Sequence, residues 1–145
     1  MNRAGAPRLP HGPEFRFVDR VLESRPGRRV VACLDPAELT QRPMHSGALP
    51  DAFLLEAMIQ TCGLLLDAPG SDGEPPPVLM VAGLDRVRWH RSPGMRERII
   101  MRSRIAERLG PFIRCRCTAR LKDGTLLASG RVTLRTDPGR LSGPK

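Results

Sequence analysis

Leu49-Pro50-Asp51-Ala52-Phe53-Leu54-Leu55-Glu56-Ala57-Met58-Ile59-Gln60 is an apolar run with a carboxylate in its middle. Pro50 and Asp51 supply a helix start, because aspartate serves as an N-cap or sits well in the first turn. The spacing predicts a helix from there to about Leu66. Its apolar side chains (Phe53, Leu54, Leu55, Met58, Ile59, Cys62, Leu64, Leu65 and Leu66) cover nearly the whole circumference, as in a helix enclosed on most sides. Glu56, Gln60 and Gly63 share one face, the expected location of the only polar groups of the helix interior. An ionised carboxylate is costly to bury alone, so such a group pairs, hydrogen-bonds or does proton chemistry. His45 lies eleven residues upstream of Glu56, in the loop that feeds the helix.

On either side the pattern changes to period two. Phe15 to Leu22 and Arg28 to Leu34 read as strands joined at Pro26-Gly27, which makes a hairpin. Asp35 to Leu49 is irregular, and Asp67 to Pro77, with three consecutive prolines, is a loop. Val78 to His90 is extended, and Arg96 to Leu109 alternates with Ile99, Met101, Ser103 and Ile105 on one side. Phe112 to Leu121 places Ile113, Cys115, Cys117, Ala119 and Leu121 inward, and Asp123-Gly124 turns the chain into a last strand. In that strand Leu126, Ala128, Gly130, Val132 and Leu134 are expected inward. One helix must then cover the apolar face of about six antiparallel strands, so the expected class is α+β, a curled sheet around a central helix. A helix apolar nearly all round also predicts a second protomer.

The 145 residues suit a single domain, 1–145, with a loose arm over 1–13 and a disordered tail over 137–145. No run approaches the ~20 apolar residues that span a bilayer, so a cytoplasmic protein without membrane contact is expected. Cys33, Cys62, Cys115 and Cys117 lack the pairing of a metal site and read as reduced core residues. The net charge of +9 invites nucleic acid, but four Phe, one Trp and no Tyr leave little for base stacking. An acidic protein partner or an anionic cofactor accounts for the charge instead.

Four blocks together resemble the 3-hydroxyacyl-[acyl-carrier-protein] dehydratases of the hotdog fold. They are Leu9-Pro10-His11 with Phe15-Arg16-Phe17-Val18-Asp19-Arg20-Val21; Leu55-Glu56-Ala57-Met58-Ile59-Gln60; Ala82-Gly83-Leu84-Asp85-Arg86-Val87-Arg88-Trp89; and Arg91-Ser92-Pro93-Gly94. The similarity runs from about Leu9 to Arg135. It implies a hotdog fold, a homodimer or an oligomer of dimers, no cofactor and no metal, and an acyl carrier protein as partner. It also implies a histidine and an acid from opposite subunits lining a shared tunnel.

Glu56 matches the acid. An ungapped alignment from Glu56 puts the family's histidine at Arg42; shortening the loop after it puts it at His45, the reading adopted here. Asp51 replaces a glycine whose amide in the family receives the thioester carbonyl. The Gly47-Ala48-Leu49-Pro50 approach is similar to that of dehydratase-like proteins of polyene and pigment pathways.

The implied chemistry removes water from a 3-hydroxyacyl thioester to give the trans-2-enoyl thioester. His45 would take the C2 proton and Glu56 would protonate or orient the 3-hydroxyl. The first helical amides, near Asp51 and Ala52, would polarise the carbonyl. Gln60 would hydrogen-bond Glu56, and Leu54, Met58 and Gly83 would line the acyl tunnel. Arg86, Arg88, Arg91 and Arg96 would meet the phosphopantetheine phosphate or the carrier's acidic face. Asp51 would compete with the oxyanion for the same amides, which predicts weak or altered activity. A hotdog acyl thioesterase and a catalytically silent acyl-binding or partner subunit are the alternatives.

Overall fold

The computed structural model describes residues 15–39, 47–66 and 79–136. Strands β1 (Arg20–Arg25) and β2 (Arg29–Leu34) form the expected hairpin, with Gly27 at φ 71° in its turn. A single 3-10 turn, Pro36–Leu39, follows β2. Helix α1 spans Asp51–Gly63 and tightens into a 3-10 turn over Leu64–Leu66. Strands β3 (Leu79–Trp89), β4 (Ile99–Leu109), β5 (Phe112–Leu121) and β6 (Leu126–Thr136) complete one antiparallel sheet, in the order β1-β2-β4-β5-β6-β3. Among the described residues a lone helix lies on one face of a curled six-stranded sheet, the hotdog arrangement.

The helix packs against β4, β5, β2 and β6, the middle of the sheet. Leu54, Ala57, Met58 and Cys62 on α1 and Leu65 in the following 3-10 turn meet Val30, Ala32, Leu34, Ile99, Met101, Ile113, Cys115, Cys117, Ala119, Val132 and Leu134 in one buried cluster. All four thiols are free and buried. Ser103 Oγ donates to Cys62 Sγ at 3.1 Å. Contact with the Cys62 thiol, followed by burial, holds the Cys115 thiol well above the usual range, so it stays protonated and unreactive.

Three sequence expectations are corrected. Residues 16–19 are not strand: β1 begins at Arg20, and the preceding segment crosses the helix, held by a side chain of α1. Arg96, Glu97 and Arg98 precede the strand in a turn and its exit, and β4 begins at Ile99. The inward set of β6 slips at its start, where the pairing jumps from Ala119↔Ala128 to Arg120↔Leu126. That bulge buries Leu127 completely and leaves Leu126 partly covered. Among the described residues no helix is long and apolar enough to cross a membrane.

Strand β3 lies at the sheet edge, where Leu79 at its start meets the end of α1 at Gly63. Register puts Val81, Leu84 and Trp89 on the helix side of the sheet, level with Leu134, Val132 and Ala128. They remain 48%, 42% and 42% exposed, so this part of the core face is uncovered. The outer stripe of α1 is incompletely covered as well: Ala52 is exposed, and Leu55, Glu56, Ile59 and Gly63 are intermediate. The expectation that the helix is enclosed on most sides therefore fails for one protomer.

Candidate functional site

The helix start is built by Pro50, whose φ of −58° and ψ of 143° turn the chain in from an extended approach. Its carbonyl accepts from Phe53 N at 3.0 Å and Leu54 N at 3.2 Å. Asp51 occupies the first turn, where its charge suits the positive end of the helix dipole. The approach is tied to a distant turn: Leu49 N donates to Pro93 O at 2.9 Å, Met95 N donates to Gly47 O at 3.3 Å, and Ala48 bridges Gly94. Glu97 secures that turn by accepting from Gly94 N at 2.8 Å and from Arg91 at 3.0 and 3.2 Å.

One turn into α1, Glu56 Oε1 accepts from Gln60 Nε2 at 3.0 Å. Gln60 is only 2% exposed and uses both ends of its amide. Its Nε2 also donates to Phe15 O at 2.7 Å, while its Oε1 accepts from Phe17 N at 2.8 Å. The Phe17 ring packs on Phe53 with centroids 5.0 Å apart. Gln60 therefore binds the segment before β1 to the helix and offers its remaining N–H to Glu56. This orients the half-buried carboxylate on the incompletely covered stripe, where it can meet a ligand at the helix surface.

The other sequence candidates are dispersed. Ala52 lies exposed beside Asp51 in the first turn, on the stripe of Glu56. Leu54 and Met58 are wholly buried on the sheet side of the helix. Gly83 sits in β3 next to a register shift, and a Cβ there would meet Thr133 at 3.9 Å. Arg86 and Arg88 belong to a second bulge of β3, in which Arg86 adopts a left-handed φ of 52°. Such a conformation in a non-glycine residue is strained and concentrates at sites that must aim a side chain. Arg91 is engaged by Glu97, and Arg96 is exposed. His45 and its alternative Arg42 lie outside the described residues, as does His11.

Sequence reasoning missed two features. Thr61 is a further buried polar residue of the helix interior, satisfied by donating to Ala57 O at 2.8 Å. The role of Phe15 to Phe17 as partners of Gln60 was hidden because their alternation reads as a strand. Arg16 lies between them, and its Nε is enclosed without a hydrogen-bond partner among the described residues.

No protein-family model matches the chain. Among curated proteins it is 29% identical over 131 residues to a 3-hydroxyacyl-[acyl-carrier-protein] dehydratase from Dechloromonas aromatica, covering 86% of this chain and 89% of that one. It is 28% identical over 129 residues to the protein of the same name from Teredinibacter turnerae, with 86% and 88% covered. A third, from Shewanella sp. strain MR-4, is 35% identical over 91 residues, with 57% and 58% covered.

Among solved structures the chain is similar to one in the dehydratase heterocomplex ApeI:P from Xenorhabdus doucetiae, with a TM-score of 0.76, 19% identity, and 93% and 92% covered. It is also similar to a hypothetical thioesterase from Streptococcus pneumoniae solved with coenzyme A, with a TM-score of 0.66, 9% identity, and 81% and 84% covered. The structural likenesses show the fold, and the sequence resemblance to the dehydratases holds over most of the chain.

Proposed function

We propose that this chain is a dehydratase that converts a 3-hydroxyacyl thioester on an acyl carrier protein into the trans-2-enoyl thioester. The observation that carries the reading is Glu56, half-buried on the outward stripe of α1 and oriented by a glutamine whose own partners are backbone groups. The similarity to curated dehydratases over 86% of the chain supports it, and Glu56 lies in the Leu55–Gln60 block that resembles that family.

In this reading His45 of one protomer removes the C2 proton, and the Glu56 carboxyl of the partner protomer delivers a proton to the 3-hydroxyl as the C–O bond breaks. The elimination leaves an enoyl thioester and water. The first-turn amides at Asp51 and Ala52 polarise the thioester oxygen, aided by the helix dipole. Gln60 positions Glu56, Leu54 and Met58 support the helix wall of the acyl tunnel, and Gly83 keeps β3 open beside it. Arg86, Arg91 and Arg96 serve the phosphate of the phosphopantetheine arm or the carrier surface, whereas Arg88 pairs with Ser129 on the opposite face of the sheet and is left out of this role. The uncovered inward face of β3 and the open stripe of α1 favour a homodimer that closes both.

The test is incubation with a 3-hydroxyacyl carrier protein, following loss of water and release of free thiol by mass. Water loss that vanishes in both His45→Ala and Glu56→Ala is the expected result. Thiol release without water loss would establish a thioesterase instead, and neither product would establish a non-catalytic acyl-binding subunit.

A further inference from the structure

The face of the sheet opposite the helix carries a row of arginines in strict register. Arg25 on β1 is paired with Arg29 on β2, Arg29 with Arg104 on β4, Arg104 with Arg116 on β5, and Arg116 with Arg131 on β6. The row ends at Asp85 on β3, opposite Arg131. Like charges directly opposite on neighbouring strands destabilise a sheet, and here four such pairs stand in succession.

The ends of the row are compensated and the centre is not. Glu23 pairs with both Arg25 and Arg29, and Asp85 lies 3.6 Å from Arg131. Arg104 and Arg116 are exposed and have no acidic partner among the described residues. The next row on the same face adds Arg102, followed by the hydroxyls of Thr118 and Ser129 and then Arg88.

We propose that this outer face, centred on Arg102, Arg104 and Arg116, docks an acidic helix of a partner protein. Strands are spaced about 4.8 Å apart, so the row of five arginines extends about 19 Å. Carboxylates along one face of a helix recur every 5 to 6 Å or so, and about three turns of helix match that length. Guanidinium forks suit carboxylates, and the Thr118 and Ser129 hydroxyls extend the hydrogen-bonding surface. Glu23, Asp85 and Glu107, which pairs with Arg114 at 2.9 Å, rim the uncompensated centre on three sides. A nucleic-acid duplex running on past the patch would set phosphates over those acids, whereas a short acidic helix ends before them. The sheet separates this face from Glu56, so the inference stands apart from the proposed reaction.

The experiment uses the whole chain and a fluorescent alanine-based peptide of about 15 residues with glutamates on one helical face. A peptide of the same composition with its glutamates dispersed around the helix and a short DNA duplex serve as comparisons. Anisotropy should show the one-faced peptide binding more tightly than either. Affinity should fall roughly tenfold for each of Arg104→Ser and Arg116→Ser. It should stay level in Arg28→Ser, an equal charge change in the β1–β2 turn, and rise in Glu23→Gln. Thermal melts of the arginine variants should match or exceed the parent, since like-charge pairs are relieved. Equal binding of the two peptides, or indifference to Arg104→Ser and Arg116→Ser, would overturn the proposal. Tighter binding of the duplex, lost with the same substitutions, would replace it with a nucleic-acid surface.

Discussion

Gln60 does the work of two residues, holding Phe15 and Phe17 in place and orienting Glu56, so its loss and that of Glu56 should separate in experiment. Gln60→Ala removes the bonds to Phe15 O and Phe17 N and is expected to cost about 1–3 kcal/mol of stability, read from denaturant unfolding. Glu56→Gln keeps the shape and an acceptor for the Gln60 amide, so melting should barely move. Its rate of water loss should fall at least about 100-fold, the scale of a general acid removed. A Glu56→Gln variant that kept its rate would show the carboxylate to be structural. Asp51 gives an opposing pair of signs. Asp51→Gly removes a favourable dipole contact of about 0.3–1 kcal/mol, which lowers the melting point. It also removes a negative charge beside the first-turn amides, where the oxyanion would develop, so kcat should rise, and a fall would show that the aspartate does not compete.

At the scale of elements, the start of α1 depends on a turn more than forty residues away, and Glu97 makes that turn sensitive to acid. Its carboxyl is held below the usual carboxylate value of 4.5 first by the Gly94 N–H and then, after a smaller opposing effect of desolvation, by Arg91. A depressed folded value contributes stability above the unfolded value, and that contribution is lost as the pH falls through the folded one. Parent and Glu97→Gln should therefore differ in unfolding midpoint above about pH 4.5 and converge below it; parallel profiles would sink the assignment. The bulge of β3 makes a different demand. Val87 turns in against Gly130, where a Cβ would lie 3.2 Å from Val87 Cγ2. Gly130→Ala should destabilise by about 1 kcal/mol or more as the bulge is pushed outward.

These two contacts mark what the sequence could not tell. The helix, the strands and the alternation in β5 were legible because burial imposes period 3.6 or 2 on neighbouring residues. Bulges at Leu127 and Val87, and the bond from Gln60 to a segment forty-odd residues earlier, depend on which strands and loops meet in space. Local patterning carries no record of that. Glu56 was legible as a candidate because a carboxylate inside an apolar helix needs a reason. Its orientation by Gln60 was half visible, since i, i+4 spacing places the two side by side, whereas the anchoring of Gln60 was not.

At the scale of the molecule, one protomer leaves its core unfinished along a single border. Val81, Leu84 and Trp89 face the helix side of the sheet yet stay exposed, and the outer edge of that eleven-residue strand is unpaired by any other described strand. A long apolar edge open on one side invites pairing with another chain, and a second copy offers the same edge in reverse. Pairing there would also bring the open stripe of each α1, with Glu56 on it, toward the partner. The expected species in light scattering is twice the 16.0 kDa chain. Leu84→Arg, which places a charge in the middle of the border without touching the Glu56 cluster, should shift the mass to a single chain. It should also remove water loss, because in the proposed mechanism each site takes its histidine from across the border. A monomeric parent would contradict the pairing outright, and a monomeric Leu84→Arg that stayed fully active would place the whole site within one protomer.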